Sequence, residues 1–127
     1  MTAIILNKEG AFYNVRNGNP EYCPLIPLFV SQAVAGPTAI IAANTTKKTR
    51  IMGGIFQTNN AASGILQLRA GTTLYFSYGL PTNAEPPLHF PVTKEGFLFE
   101  TAVNEAVNAT GITQASQFTL FYIQYTP

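Results

Sequence analysis

Residues 49–81 read TRIMGGIFQTNNAASGILQLRAGTTLYFSYGLP. Three runs within this stretch alternate with a period of two. In the first, Ile51, Gly53 and Ile55 oppose Met52, Gly54 and Phe56. In the second, Leu66 and Leu68 share a face and Gln67 and Arg69 take the other. In the third, Leu74, Phe76 and Tyr78 align. Side chains alternate in this way only when the backbone is extended, so each run predicts a β-strand. The Gly53–Gly54 pair predicts a bulge or a close backbone approach, because a strand interior otherwise gains nothing from glycine. NNAASG (59–64) is the first turn.

The same pattern extends in both directions. LFVSQAV (28–34), TAIIAANTT (38–46), LHFPV (88–92), GFLFETAV (96–103) and QFTLFYIQY (117–125) are further strand candidates. TNAEPP (82–87) is a loop. NEAVNATGITQAS (104–116) is turn-rich, although ETAVNEAV (100–107) also fits a short helical turn. The sum is about eight short strands punctuated by Gly, Pro and Asn, with no long helical pattern. The expected fold is therefore all-β, a jelly-roll-like antiparallel β-sandwich formed by residues 28–127.

The first 27 residues differ. NVRNGNPEYCPLIPLF (14–29) carries Pro20, Pro24 and Pro27 at short spacing. Prolines donate no ladder hydrogen bond, so residues 1–27 are expected to run as an extended arm. The arm is apolar, with Phe12, Tyr13, Val15, Tyr22, Leu25 and Ile26, so it is expected to lie against protein. Two readings stand: an arm laid on a neighbouring molecule, and a segment packed along its own domain.

The last strand sharpens the point. SQFTLFYIQYTP (116–127) is apolar on both faces, with Phe118, Leu120 and Tyr122 on one and Phe121, Ile123 and Tyr125 on the other. One row suits a core; the other must be covered by the arm, a loop or a second chain. Phe12, Tyr13, Tyr22, Leu25, Phe121, Ile123 and Tyr125 are the candidate interface residues for an oligomer or larger assembly.

Composition favours association over chemistry. Charged residues make up 10% of the chain, against about 25% in ordinary globular proteins. Neutral polar side chains replace them, and such a surface is easier to desolvate. A net charge of +1 offers no basic stripe for nucleic acid. The cluster Lys47, Lys48, Arg50 reads most simply as a solvated loop, with a phosphate or acidic-partner site as the alternative. No stretch has the length of a membrane helix. AIIL (3–6) is too short for a signal peptide, so synthesis in a cytoplasm is expected.

The catalytic inventory is thin. The chain has no Asp, a single His and a single Cys. Cys23 beside Pro24 has no helix terminus to activate it, and reads as an inert thiol rather than half of a Cys23–His89 dyad. His89 alone cannot assemble a metal site without glutamates or symmetry mates. Glu95, Glu100 and Glu105 recur at a spacing of five, which does not align them on one strand face. No catalytic, cofactor or metal site is expected, and no enzyme. Tyr75, Tyr78, Tyr122 and Tyr125 allow a second reading, stacking on sugar rings, against simple packing at a core edge.

Residues 51–126 resemble small structural proteins of tailed bacteriophages. The resemblance is carried by IMGGIFQTNNAASGILQLRAGTTLYFSYGL, PLHFPV, KEGFLFETAV and the closing FTLFYIQY. It implies a decoration (cement) protein on the capsid surface of the virion. The partners it implies are the major capsid protein and further copies of the chain, with a trimer favoured. A carbohydrate- or receptor-binding module of a tail or fibre is the alternative.

Overall fold

A computed structural model describes residues 2–6, 11–16, 18–32, 35–58, 61–93, 96–111 and 115–127. Glu95, named above, and Asn17, Asn59 and Asn60 of the quoted stretches lie outside the described residues. The described chain is all-β, with twelve strands, eleven of them in three antiparallel sheets, and no helix.

The first sheet is a meander of β1 (Thr2–Leu6), β2 (Phe12–Arg16) and β3 (Asn19–Cys23). The second contains β4 (Ile26–Gln32), β6 (Lys48–Thr58), β9 (Leu88–Phe90), β10 (Phe99–Glu100) and β12 (Ser116–Tyr125). Here β12 lies between β4 and β6, while β9 and β10 pair with β6. The third runs β11 (Val107–Gly111), β7 (Gly64–Ala70), β8 (Thr73–Leu80). β5 (Ala35–Ile41) lies beside β11.

The second and third sheets face each other across the main core. Phe56, Phe118 and Leu120 come from one side; Leu66, Leu68, Phe76 and Val107 come from the other. Phe56 anchors this core, with ring centroids 4.8 Å from Phe76, 5.7 Å from Phe118 and 5.9 Å from Phe90.

Gly53 and Gly54 serve both roles predicted for them. Phe121 pairs with Gly53 but Tyr122 pairs with Ile51, so Met52 has no partner on β12 and the strand bulges there. A Cβ on Gly53 would overlap the Phe90 carbonyl, and one on Gly54 would meet the Phe56 ring at 2.7 Å. The bulge divides the buried residues between two clusters: Ile51 enters the main core, and Met52 joins a second one.

That second cluster holds Phe12, Cys23, Met52, Ile123 and Tyr125, with Ile4 and Val92 against it. It settles the two-faced last strand. Phe118 and Leu120 are buried in the main core with Tyr122 packed against it, while Ile123 and Tyr125 are covered by the chain's own N-terminal strands.

Several local expectations need correction. Residues 2–6, 12–16 and 19–23 are extended, but they pair as a three-stranded sheet rather than running as one arm. The prolines permit this because Pro20 sits on β3, an edge strand of its sheet, where a sheet tolerates proline. β4 begins at Ile26, ahead of the boundary expected at 28. The strand expected over 96–103 is reduced to Phe99–Glu100, although the Leu98 and Thr101 N–H groups still donate to Ile51 and Thr49 carbonyls at 2.8 Å. A strand, β11, occupies part of the segment read as turns, and no helical turn forms at 100–107.

Candidate functional site

The outer face of the five-stranded sheet has two halves. At one half the N-terminal sheet is docked. Its apolar contact is reinforced by a polar latch around Glu21. The Thr126 N–H and hydroxyl each donate to the Glu21 carboxylate at 2.9 Å. Asn14 Nδ2 donates to the Thr126 carbonyl at 2.6 Å and to Glu21 at 3.2 Å. Lys47 stands 3.5 Å from Glu21, and Arg16 donates to the Pro127 carbonyl at 2.9 Å. Burial tends to raise the Glu21 pKa, but these hydrogen bonds and Lys47 outweigh it and hold the carboxyl at about 2.

The latch has a pH signature. The folded pKa lies below the ordinary 4.5, so the stabilisation is full above about pH 5 and is lost as pH falls toward 2. Partial exposure screens it to about 1 kcal/mol or less. Glu21→Gln is expected to lower the melting temperature near neutral pH, with the gap to the wild type closing as the pH approaches 2. Equal gaps at both pH values would refute the latch.

A second ionic cluster sits nearby. Arg50 Nε donates to Glu100 at 2.7 Å, Lys48 lies 3.5 Å from Glu100, and the Tyr125 hydroxyl donates to Glu100 at 2.5 Å. The Arg50 guanidinium lies 4.2 Å from the Phe97 ring centroid. Burial and the Glu100 carboxylate push Tyr125 up to about 12. Burial opposes ionisation of Glu100, but Tyr125 and Arg50 hold it below the usual carboxylate range. Lys47, Lys48 and Arg50, which read as a solvated loop or a phosphate site, are thus each paired with a carboxylate of the same chain. Sequence offered no signal for this, because Glu21 and Glu100 are distant along the chain.

The other half of the face is open. Register places Thr119 opposite both Phe29 and Ile55, and Gln117 opposite both Ser31 and Gln57. These side chains and Pro87 line a groove of about 400 Å³. No charged residue lines it. Gln57 is fixed by donating to the Thr82 and Glu85 carbonyls at 2.8 and 2.7 Å. Phe29 stands at the edge strand β4 with 80% of its surface exposed, the highest value among the exposed large apolar residues described.

The expected interface residues separate accordingly. Phe12, Ile123 and Tyr125 are buried in the second cluster and have no surface to offer a partner. Tyr13 and Phe121 are half-buried. Tyr22 and Leu25 are exposed, and Tyr22 packs against Tyr13 with centroids 5.6 Å apart. The sequence alone does not mark Phe29, since an apolar run Leu28-Phe29-Val30 looks the same in a central strand and at an edge.

The residues with chemical potential are dispersed. Cys23 is fully buried in the second cluster, where burial raises its thiol pKa. His89 stands exposed on β9, opposite Ile55, whereas Cys23 has no exposed surface. Glu105 accepts from the Ala102 N–H at 3.0 Å. Among the described residues, no group of three or more His, Cys, Asp or Glu could hold a metal ion. Tyr75 and Tyr78 are about half exposed, yet each ring lies on a neighbour: Tyr75 stacks on Phe99 at 5.3 Å, and Tyr78 meets Phe76 at 4.6 Å and Phe90 at 5.5 Å. They close the side of the main core where β8 approaches β9 and β10.

Comparison with protein-family models, curated proteins and solved structures finds no significant match.

Proposed function

We propose that this chain is a non-enzymatic structural protein of a bacteriophage virion, a decoration protein that binds between capsid subunits as an oligomer. The observation that carries the reading is the open, uncharged half-face with Phe29 at its rim. Such a surface loses little on desolvation and gains apolar area on contact. The resemblance of residues 51–126 to phage structural proteins points the same way.

The strand pairing supports a jelly-roll reading of residues 26–125. β7 pairs with β8, β6 with β9 and β10, and β4 with β12, while β5 lies beside β11. These pairs are nested, as in one long hairpin rolled over on itself. Taking β9 and β10 as one edge strand gives eight strands in two layers, the arrangement that viral capsid and lectin jelly rolls share.

Mass spectrometry and immunogold labelling of virions from the encoding phage test the function. Label on the head is expected. Absence of the protein from purified virions would overturn it, and label on tail fibres would favour the receptor-binding alternative.

A further inference from the structure

We infer that the N-terminal sheet is a hinged flap: β1–β3 lift off the five-stranded sheet about Pro24–Leu25 while the body formed by the second and third sheets stays folded, baring an apolar face that the closed form hides. The inference concerns motion within one chain and does not rest on the virion reading.

Main-chain bonding sets the boundary of the flap. β1, β2 and β3 pair only with one another. Among the described residues, no hydrogen bond between main-chain groups joins these three strands to the body. Lifting the sheet therefore breaks no ladder on either side. Side chains alone hold it: Phe12 and Cys23 against Met52, Ile123 and Tyr125, and the latch around Glu21. This cluster is separate from the main core, so losing it leaves Phe56 and its neighbours packed. A unit bounded in this way opens at a lower free energy than the whole chain unfolds.

The chain supplies the hinge. β3 ends at Cys23 and β4 begins at Ile26, so the exposed pair Pro24–Leu25 is the whole connection. Pro24 and Pro27 disfavour helical backbone at Cys23 and Ile26, the residues that precede them. Both strand ends are thereby kept extended, and rotation is confined to the link.

The seam carries a group that gains from opening. Asn14 is 1% exposed. Its Nδ2 donates to Glu21 and to the Thr126 carbonyl, while its Oδ1 has no hydrogen-bond partner in the protein. A buried acceptor without a partner disfavours the closed form, and opening returns it to water. A polar cleft of about 190 Å³ between Arg16, Asn19, Glu21 and Thr126 lies at the same end of the seam. Opening uncovers Met52 and Ile123, which lie on the sheet face that carries the Phe29 groove. The flap thus sets how much apolar sheet the protein presents.

Thiol labelling of the full chain across a denaturant series tests the flap. Cys23 is the sole cysteine and is fully buried in the closed form, so it reacts only through openings. Labelling is expected to outpace global unfolding at least about tenfold. Its denaturant slope should fall well below the global slope, because the slope follows the surface exposed. Val107→Ala, in the main core on β11, is expected to lower the unfolding midpoint yet leave the native labelling rate within about twofold. Glu21→Gln is expected to raise that rate about two- to fivefold, as for loosening a part-exposed ionic contact. Labelling no faster than global unfolding would overturn the flap. So would a rate that rises with Val107→Ala in step with the lost stability, or one unmoved by Glu21→Gln.

Discussion

Phe56→Ala is expected to cost about 3–5 kcal/mol of folding stability, the range for removing a large buried aromatic ring. Phe56 is fully buried, and its ring touches Phe76, Phe90 and Phe118, which come from the third sheet, β9 and β12. A cavity there cannot be closed by one strand, because both sheets and the edge strand β9 are held on the same ring. Domains of this kind are stable by only about 5–15 kcal/mol, so the loss is a large share of the whole. Denaturant titration should show the midpoint falling with little change in slope. Phe29→Ala is the control: the residue is exposed, and a change within about 0.5 kcal/mol is expected. A Phe56→Ala variant as stable as the Phe29→Ala variant would contradict the assignment of the main core.

Ile123→Asp is expected to be comparably damaging but in a different place. Ile123 is fully buried in the second cluster, among Phe12, Cys23, Met52 and Tyr125. An unpaired carboxylate there costs about 3–5 kcal/mol. The damage falls on the outer face of β12, so the N-terminal sheet should be released before the main core opens. Cys23 reports this directly. In the wild type its thiol is buried and its pKa is raised, so it should resist thiol reagents in the native state. In Ile123→Asp it should react while Phe56 and its neighbours still give a cooperative unfolding transition. A Cys23 that stays protected, with stability unchanged, would refute the placement of the N-terminal sheet.

Much of the fold was legible because strand signals are local. β6 and β7 contain the alternating runs 51–56 and 66–69, and β12 matches the expected 117–125 within a residue. These strands carry large apolar side chains on alternate positions. β11 was missed because Val107, Ala109 and Gly111, its buried row, are small and sit among Asn and Thr, so the alternation is faint. The N-terminal sheet is hidden in the sequence because its prolines argue against any ladder, whereas Pro20 only confines β3 to an edge. Of the expected interface residues, Tyr22 and Leu25 are exposed and Phe12, Ile123 and Tyr125 are not. An interface row and a core row look alike in sequence, since both are apolar.

By itself the sequence determined that this chain is built of β-strands, and that its last strand needs cover on both faces. Both follow from the period-two geometry of an extended backbone, which neighbouring residues fix among themselves. The tertiary structure decided which row faces which cover. It brought β4 beside β12 and folded the N-terminal strands over Ile123 and Tyr125, leaving Phe29 exposed and Thr119 half-buried in the groove. Those outcomes depend on residues far apart in the chain competing for the same apolar surface, and no local pattern records which of them wins.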